Sequence, residues 1–181
     1  MDQAYADDIK YGGELTPGDA GNKGKIDAYP RLLAPIVTIA NEIDQVNLLV
    51  QDRSAGWREA RRILAQPKYE KLAFKKIFNA YGDNIYYSDP DRANVYLGGG
   101  ASPKSEQSMA YLLRNDVLTN VENLQAELDY LMKDSTPADE STEDLLEYAK
   151  TIKTAMDKYL SIVPPNELQK AKELLADGTV V

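Results

Sequence analysis

The side chains in this sequence that could do chemistry are mainly carboxylates, because its 181 residues include no histidine and no cysteine. Those two types supply the usual nucleophile-activating base, the thiolate and the commonest zinc ligands. Most hydrolase, thiol-redox and zinc-dependent mechanisms therefore lack the side chains that they require. General acid catalysis needs a carboxyl group in an apolar pocket, and nothing marks such a pocket around acid pairs such as Glu122 with Glu127. We interpret these acids as solvated helix faces.

Two short motifs carry weak signals for ligand binding. Asp89, Asp91 and Asn94 offer oxygen ligands, but their spacing lacks the central glycine and the closing glutamate of an EF-hand loop, which favours a solvated turn. The run Gly98–Gly100 lacks the lysine and hydroxyl residue of a P-loop, which favours a hinge. We therefore predict a protein that is not an enzyme and that holds no cofactor and no stoichiometric metal.

A charge asymmetry is the strongest candidate for function. Basic residues outnumber acids between Arg53 and Lys76, whereas the stretch from Glu122 to Glu147 is strongly acidic. In a chain with a net charge of -8 and a sequence pI near 4.7, binding to nucleic acid is disfavoured. A local basic patch could instead dock on an acidic protein partner. The alternative is that it neutralises the acidic helices of its own bundle. The candidate partner-binding residues are Arg58, Arg61, Arg62, Lys75 and Lys76, with Tyr5 and Tyr11 in the N-terminal segment.

The elements that position these residues are amphipathic helices. Apolar side chains recur at three-and-four spacing in three stretches. Such stripes must bury against one another, which predicts an all-α, up-down four-helix bundle. The stripes are Ile36, Ile39, Ile43, Val46, Val50, Trp57 and Leu64; Leu113, Val117, Val121, Leu124, Leu128 and Leu131; and Leu145, Ala149, Ile152, Met156, Tyr159 and Val163.

Glycines and prolines divide the chain. Residues 1–27 are glycine-punctuated and predict an irregular arm, either disordered or ordered by docking on a partner. Residues 28–163 form the predicted bundle, with a short helix and loop inserted at about 68–101, and residues 164–181 form a short C-terminal helix and tail. The first helix is predicted from about Pro30 or Leu32 to about Ala55, where Gly56 permits a break or bend, and the apolar register continues from Trp57 to Gln66. No apolar run reaches the roughly 20 residues that span a bilayer, and the first ten residues do not resemble a signal peptide.

Three segments resemble the PsbQ-like extrinsic subunits of photosystem II. IDQVNLLVQDRSAGWREARRILAQ (43–66) is similar to that family's early helix leading to a tryptophan. MAYLLRNDVLTNVENLQAEL (109–128) is similar to its segment with leucines around an Arg-x-Asp-Leu type core, here Arg114 to Leu118. EDLLEYAKTIKTAMDKYLSIV (143–163) is similar to its closing helix. The insertion and the last helix depart from plant members and indicate a divergent algal or diatom-type member.

The resemblance implies a four-helix bundle in the chloroplast thylakoid lumen, peripheral on the thylakoid membrane. Its partners would be the photosystem II core and the other extrinsic subunits. Its role would be to stabilise the manganese–calcium cluster and support calcium and chloride retention, without chemistry of its own. Two other interpretations stay open. One is a soluble helical-bundle adaptor unrelated to photosynthesis. The other is a carboxylate-based metal protein, which the absence of the Glu-x-x-His pairs of di-iron bundles disfavours.

Overall fold

The computed structural model describes residues 28–83 and 105–179, which are helical and contain no strand in these ranges. The prediction of an all-α bundle is confirmed. The helices are α1 (Ala28–Leu49), α2 (Ala55–Leu64), α3 (Lys71–Gly82), α4 (Ser105–Leu131), α5 (Glu143–Ser161) and α6 (Pro165–Ala176). A 3-10 turn at Pro67–Tyr69 separates α2 from α3.

Cross-helix contacts establish the up-and-down order. The Asn47 side chain on α1 donates to the carbonyl of Ala149 on α5, 2.5 Å away. The Gln125 side chain on α4 donates to the carbonyl of Leu64 at the end of α2, 2.6 Å away. The most extensive pairing joins α4 to α5, and α6 packs against α1. The second of the four antiparallel segments of the bundle therefore consists of α2 followed by α3. This segment runs antiparallel to α1 and to α4.

The predicted extent of the first helix is wrong. The helix ends at Leu49 rather than near Ala55, and α2 turns back along α1 instead of continuing its direction. The physical reason is a local cap: the Asp52 carboxylate accepts hydrogen bonds from the backbone N–H groups of Ser54 and Gly56, each at 3.1 Å. These bonds satisfy donors at the start of a new helix and also lower the pKa of Asp52.

The helical part of the predicted insertion is α3, and it forms the second half of the second antiparallel segment. Phe74 and Phe78 are fully buried and stack with their ring centroids 4.5 Å apart. Phe78 also meets Tyr159 of α5 edge-on at 5.1 Å. These aromatic contacts place α3 in the core, because a helix beside the bundle would leave one of its faces unburied.

The three apolar stripes share one core, as predicted. All of their members belong to a single buried cluster that also takes in Phe74, Phe78 and Ala171. Trp57 is only 3% exposed, and its indole N–H donates to the carbonyl of Val50 at 2.9 Å. The tryptophan thereby fastens α2 against the end of α1.

Gly56 should be the least replaceable glycine of the described part. A Cβ at this position would lie 2.1 Å from the Leu49 carbonyl oxygen, which is backbone and cannot rotate away. We expect Gly56→Ala to lower the free energy of unfolding by at least about 2 kcal/mol, measured by urea denaturation. Gly82→Ala is the control, since its Cβ would meet only an ordinary contact at 3.5 Å. Equal stability of the two variants would contradict the close approach of α2 to α1.

Candidate interaction surface

Three of the predicted basic residues line one groove. Arg58, Arg61 and Arg62 lie at three-and-four spacing on α2, so they share the helix face that borders α4. All three are exposed. The groove has a volume of about 660 Å³ and is open to solvent. The other residues that line it are Ala65, which follows α2, Gln125 and Asp129 of α4, and Met132, which follows α4.

Two of these arginines already make ion pairs within the bundle. Arg61 Nε lies 2.5 Å from Asp129 Oδ1, and the two side chains are 56% and 51% exposed. Arg62 pairs with Glu59 on its own helix at 2.5 Å, and this hydrogen bond lowers the pKa of the Glu59 carboxyl. Within the described ranges Arg58 has no hydrogen bond or ion pair. Exposed pairs of this kind contribute little to stability, so a partner's carboxylates can replace them.

The remaining predicted binding residues do not join this groove. Lys75 and Lys76 lie on α3, where Lys75 is half-buried and Lys76 is exposed, and neither lines the surface beside α2. Tyr5 and Tyr11 lie outside the described residues, as do Asp89, Asp91, Asn94 and the Gly98–Gly100 run. The basic candidates are therefore divided between two places.

The basic and acidic stretches of the sequence meet at the end of the bundle that carries the turns at 50–54 and 132–142. Arg53 donates to the carbonyls of Ala138 and Glu140, the latter at 2.9 Å, and its guanidinium lies 5.3 Å from the centroid of the Trp57 ring. The acceptors of Arg53 are backbone carbonyls, whereas the Arg61–Asp129 pair joins opposite charges that are 68 residues apart in sequence. Part of the basic stretch thus balances the bundle's own acids.

Glu127 lies on the acidic side of this end of the bundle. Burial raises the pKa of its carboxyl group, and the nearby carboxylates of Asp144 and Glu140 raise it further. In the two described ranges no group of three or more histidine, cysteine, aspartate or glutamate residues is placed to hold a metal ion.

A second polar cluster occupies the opposite end of the bundle, and no sequence motif marks it. Tyr81 donates to Glu167 Oε2 at 2.6 Å, and Glu167 is only 3% exposed. Tyr159 is buried beside them, and in the described part its hydroxyl has no hydrogen-bond partner. At the rim, Tyr111 donates to Asp83 and Arg114 donates to Asn79. This cluster joins the ends of α3, α4, α5 and α6.

Comparison with known proteins gives no relative for this chain. No protein-family model, no curated protein and no solved structure matches it. Within the described residues, none of the helices combines the length and apolar composition needed to cross a membrane.

Proposed function

We propose that this protein is a non-catalytic extrinsic subunit that binds an acidic surface on the lumenal face of photosystem II. In this role it would stabilise the manganese–calcium cluster and support calcium and chloride retention. The observation that carries the docking chemistry is the groove with three exposed arginines on a chain of net charge -8. The choice of complex rests on the three segments that resemble PsbQ-like subunits. A thylakoid-lumen location belongs to the same proposal.

The charge arrangement suits docking by steering. In the described residues the lining of the groove holds Arg58, Arg61 and Arg62 with one acid, Asp129. Glu59, which pairs with Arg62, and Asp52, which interacts with Arg58, lie outside that lining, so the lining itself is mainly cationic. Such a patch attracts an acidic partner during encounter and orients the molecule as it arrives. Salt screens charges of this kind over about 10 Å at 0.1 M and about 3 Å at 1 M. High salt should therefore release the subunit from its membrane complex.

Reversal of two groove charges is expected to weaken binding without unfolding the bundle. We expect Arg61→Glu with Arg62→Glu to bind salt-washed photosystem II about tenfold more weakly, mainly through slower association. The measurements are bound protein and oxygen evolution at low calcium and chloride after reconstitution, with circular dichroism to confirm folding. Lys150→Glu with Lys172→Glu is the matched control, because it makes the same change in net charge at exposed positions on α5 and α6.

The outcomes separate the alternatives. Rebinding of the unaltered protein, with loss confined to the groove variant, would support the proposal. Full rebinding and activity of the groove variant would mean that the arginines serve only the bundle's own charge balance. Failure of the unaltered protein to rebind would favour an adaptor unrelated to photosynthesis.

A further inference from the structure

The groove has the shape that accepts a helix. Arg58, Arg61 and Ala65 at the end of α2 recur at three-and-four spacing over two turns, about 10 Å. Gln125 and Asp129 on α4 lie four residues apart, which is one turn, about 6 Å. The two helices run antiparallel, as the contacts of Leu64 with Gln125 and of Arg61 with Asp129 require. A valley between two neighbouring helices is the site into which the ridge of a third helix packs.

The charges of the groove specify the character of that third helix. Arg58 and Arg62 lie four residues apart, so their attachment points are about 6 Å apart along the axis of α2. A helix with acids at i and i+4 presents carboxylates with the same repeat. Arginine favours such partners, because its guanidinium forks hold carboxylates in two parallel hydrogen bonds.

We infer that the groove receives an acidic α-helical segment of the partner, and that Asp129 holds Arg61 in place of a partner carboxylate until that segment binds. Among the residues that the structure describes, Asp129 is the only acid lining the groove, and its pair with Arg61 is half-exposed on both sides. A pair so open to water is readily exchanged. The inference rests on the proposed docking function for the existence of a partner, but its chemistry can be tested without photosystem II.

The consequence is that removing a charge from this protein should tighten its binding. Asp129→Asn keeps the size of the side chain and one oxygen acceptor but removes the negative charge that attracts Arg61, so we expect it to bind an acidic helix about two- to fivefold more tightly than the unaltered protein. Glu122→Gln is the matched control, since Glu122 is an exposed acid of the same helix that does not line the groove. The control corrects for the general change in net charge.

The experiment uses a fluorescent, alanine-based peptide of about 18 residues with glutamates at i, i+4 and i+7, which is long enough to be helical in water. Its affinity for the unaltered protein, Asp129→Asn and Glu122→Gln is measured by fluorescence anisotropy at low salt. A glutamine version tests the need for charge, and a version with a central proline tests the need for a helix. The inference predicts that both of these peptides bind weakly.

Two results would overturn the inference. One is an affinity of Asp129→Asn that is equal to or lower than that of Glu122→Gln, because Asp129 would then not compete with the peptide. The other is equal binding of the proline peptide, because the groove would then accept extended acidic chains. Neither result depends on rebinding to photosystem II. A groove that binds the acidic helix while the protein fails to rebind would overturn the proposed complex and leave this inference standing.

Discussion

Replacing Trp57 with alanine is expected to lower the free energy of unfolding by about 3 to 5 kcal/mol. The ring is 3% exposed and belongs to the shared core, so its removal leaves a cavity that the neighbouring helices fill only in part. The indole N–H also donates to the Val50 carbonyl, and that acceptor would lose its partner. The Arg53 guanidinium, 5.3 Å from the ring centroid, would lose its aromatic face as well.

The measurement is urea denaturation followed by far-ultraviolet circular dichroism, because Trp57 is the only tryptophan and its fluorescence disappears with the substitution. Trp57→Phe is the control. It keeps most of the apolar volume and removes the hydrogen bond, so we expect a cost of about 1 to 2 kcal/mol. A near-neutral Trp57→Ala would place the ring at the surface and contradict the packing of α2 on α1.

The free energy of unfolding is expected to fall steeply as the pH rises above about 10. Burial raises the pKa values of Tyr69, Tyr81 and Tyr159, and nearby Glu42 and Glu167 add to the effect at the first two. A pKa raised in the folded state means that the folded protein keeps a proton that the unfolded chain releases above about pH 10. Their stabilising effect is therefore complete below about pH 10 and is lost as the pH rises. Three such groups remove up to about 4 kcal/mol per pH unit.

Tyr159→Phe separates this explanation from general charge repulsion. Its hydroxyl is buried and has no hydrogen-bond partner within the described residues, so we expect its loss to change stability at neutral pH by less than about 0.5 kcal/mol. Above about pH 10 the variant should lose stability about 1.4 kcal/mol per pH unit less steeply than the unaltered protein. Tyrosinate absorbance and circular dichroism, recorded together in urea titrations, measure both effects.

Tyr130→Phe is the matched control, since Tyr130 is 43% exposed. The alkaline slope of Tyr159→Phe is compared with the slope of this variant. An alkaline slope for Tyr159→Phe equal to that of Tyr130→Phe would contradict the role of the buried hydroxyl. Tyr81→Phe should differ from both, because it removes the donor to the buried Glu167 carboxylate and therefore destabilises the protein even at neutral pH.

The helical class and the buried stripes of this protein follow from its sequence alone. Three-residue and four-residue spacing depends only on the geometry of a helix, so the stripes that contain Ile39, Val121 and Ile152 predict buried positions without any knowledge of tertiary contacts. Pro67 likewise marked the end of a helix, because a proline removes a backbone donor. The basic character of 53–76 was also legible directly from composition.

The position at which the chain reverses and the pairing of distant charges depend on how the helices pack. The same periodic stripe is compatible with one long helix or with two antiparallel ones, and the choice was made by the Asp52 cap and by the fit of Gly56 against the Leu49 carbonyl. The Arg61–Asp129 pair and the Tyr81–Glu167 hydrogen bond join residues 68 and 86 positions apart. No local pattern encodes such pairs, because their geometry arises only when separate helices pack together.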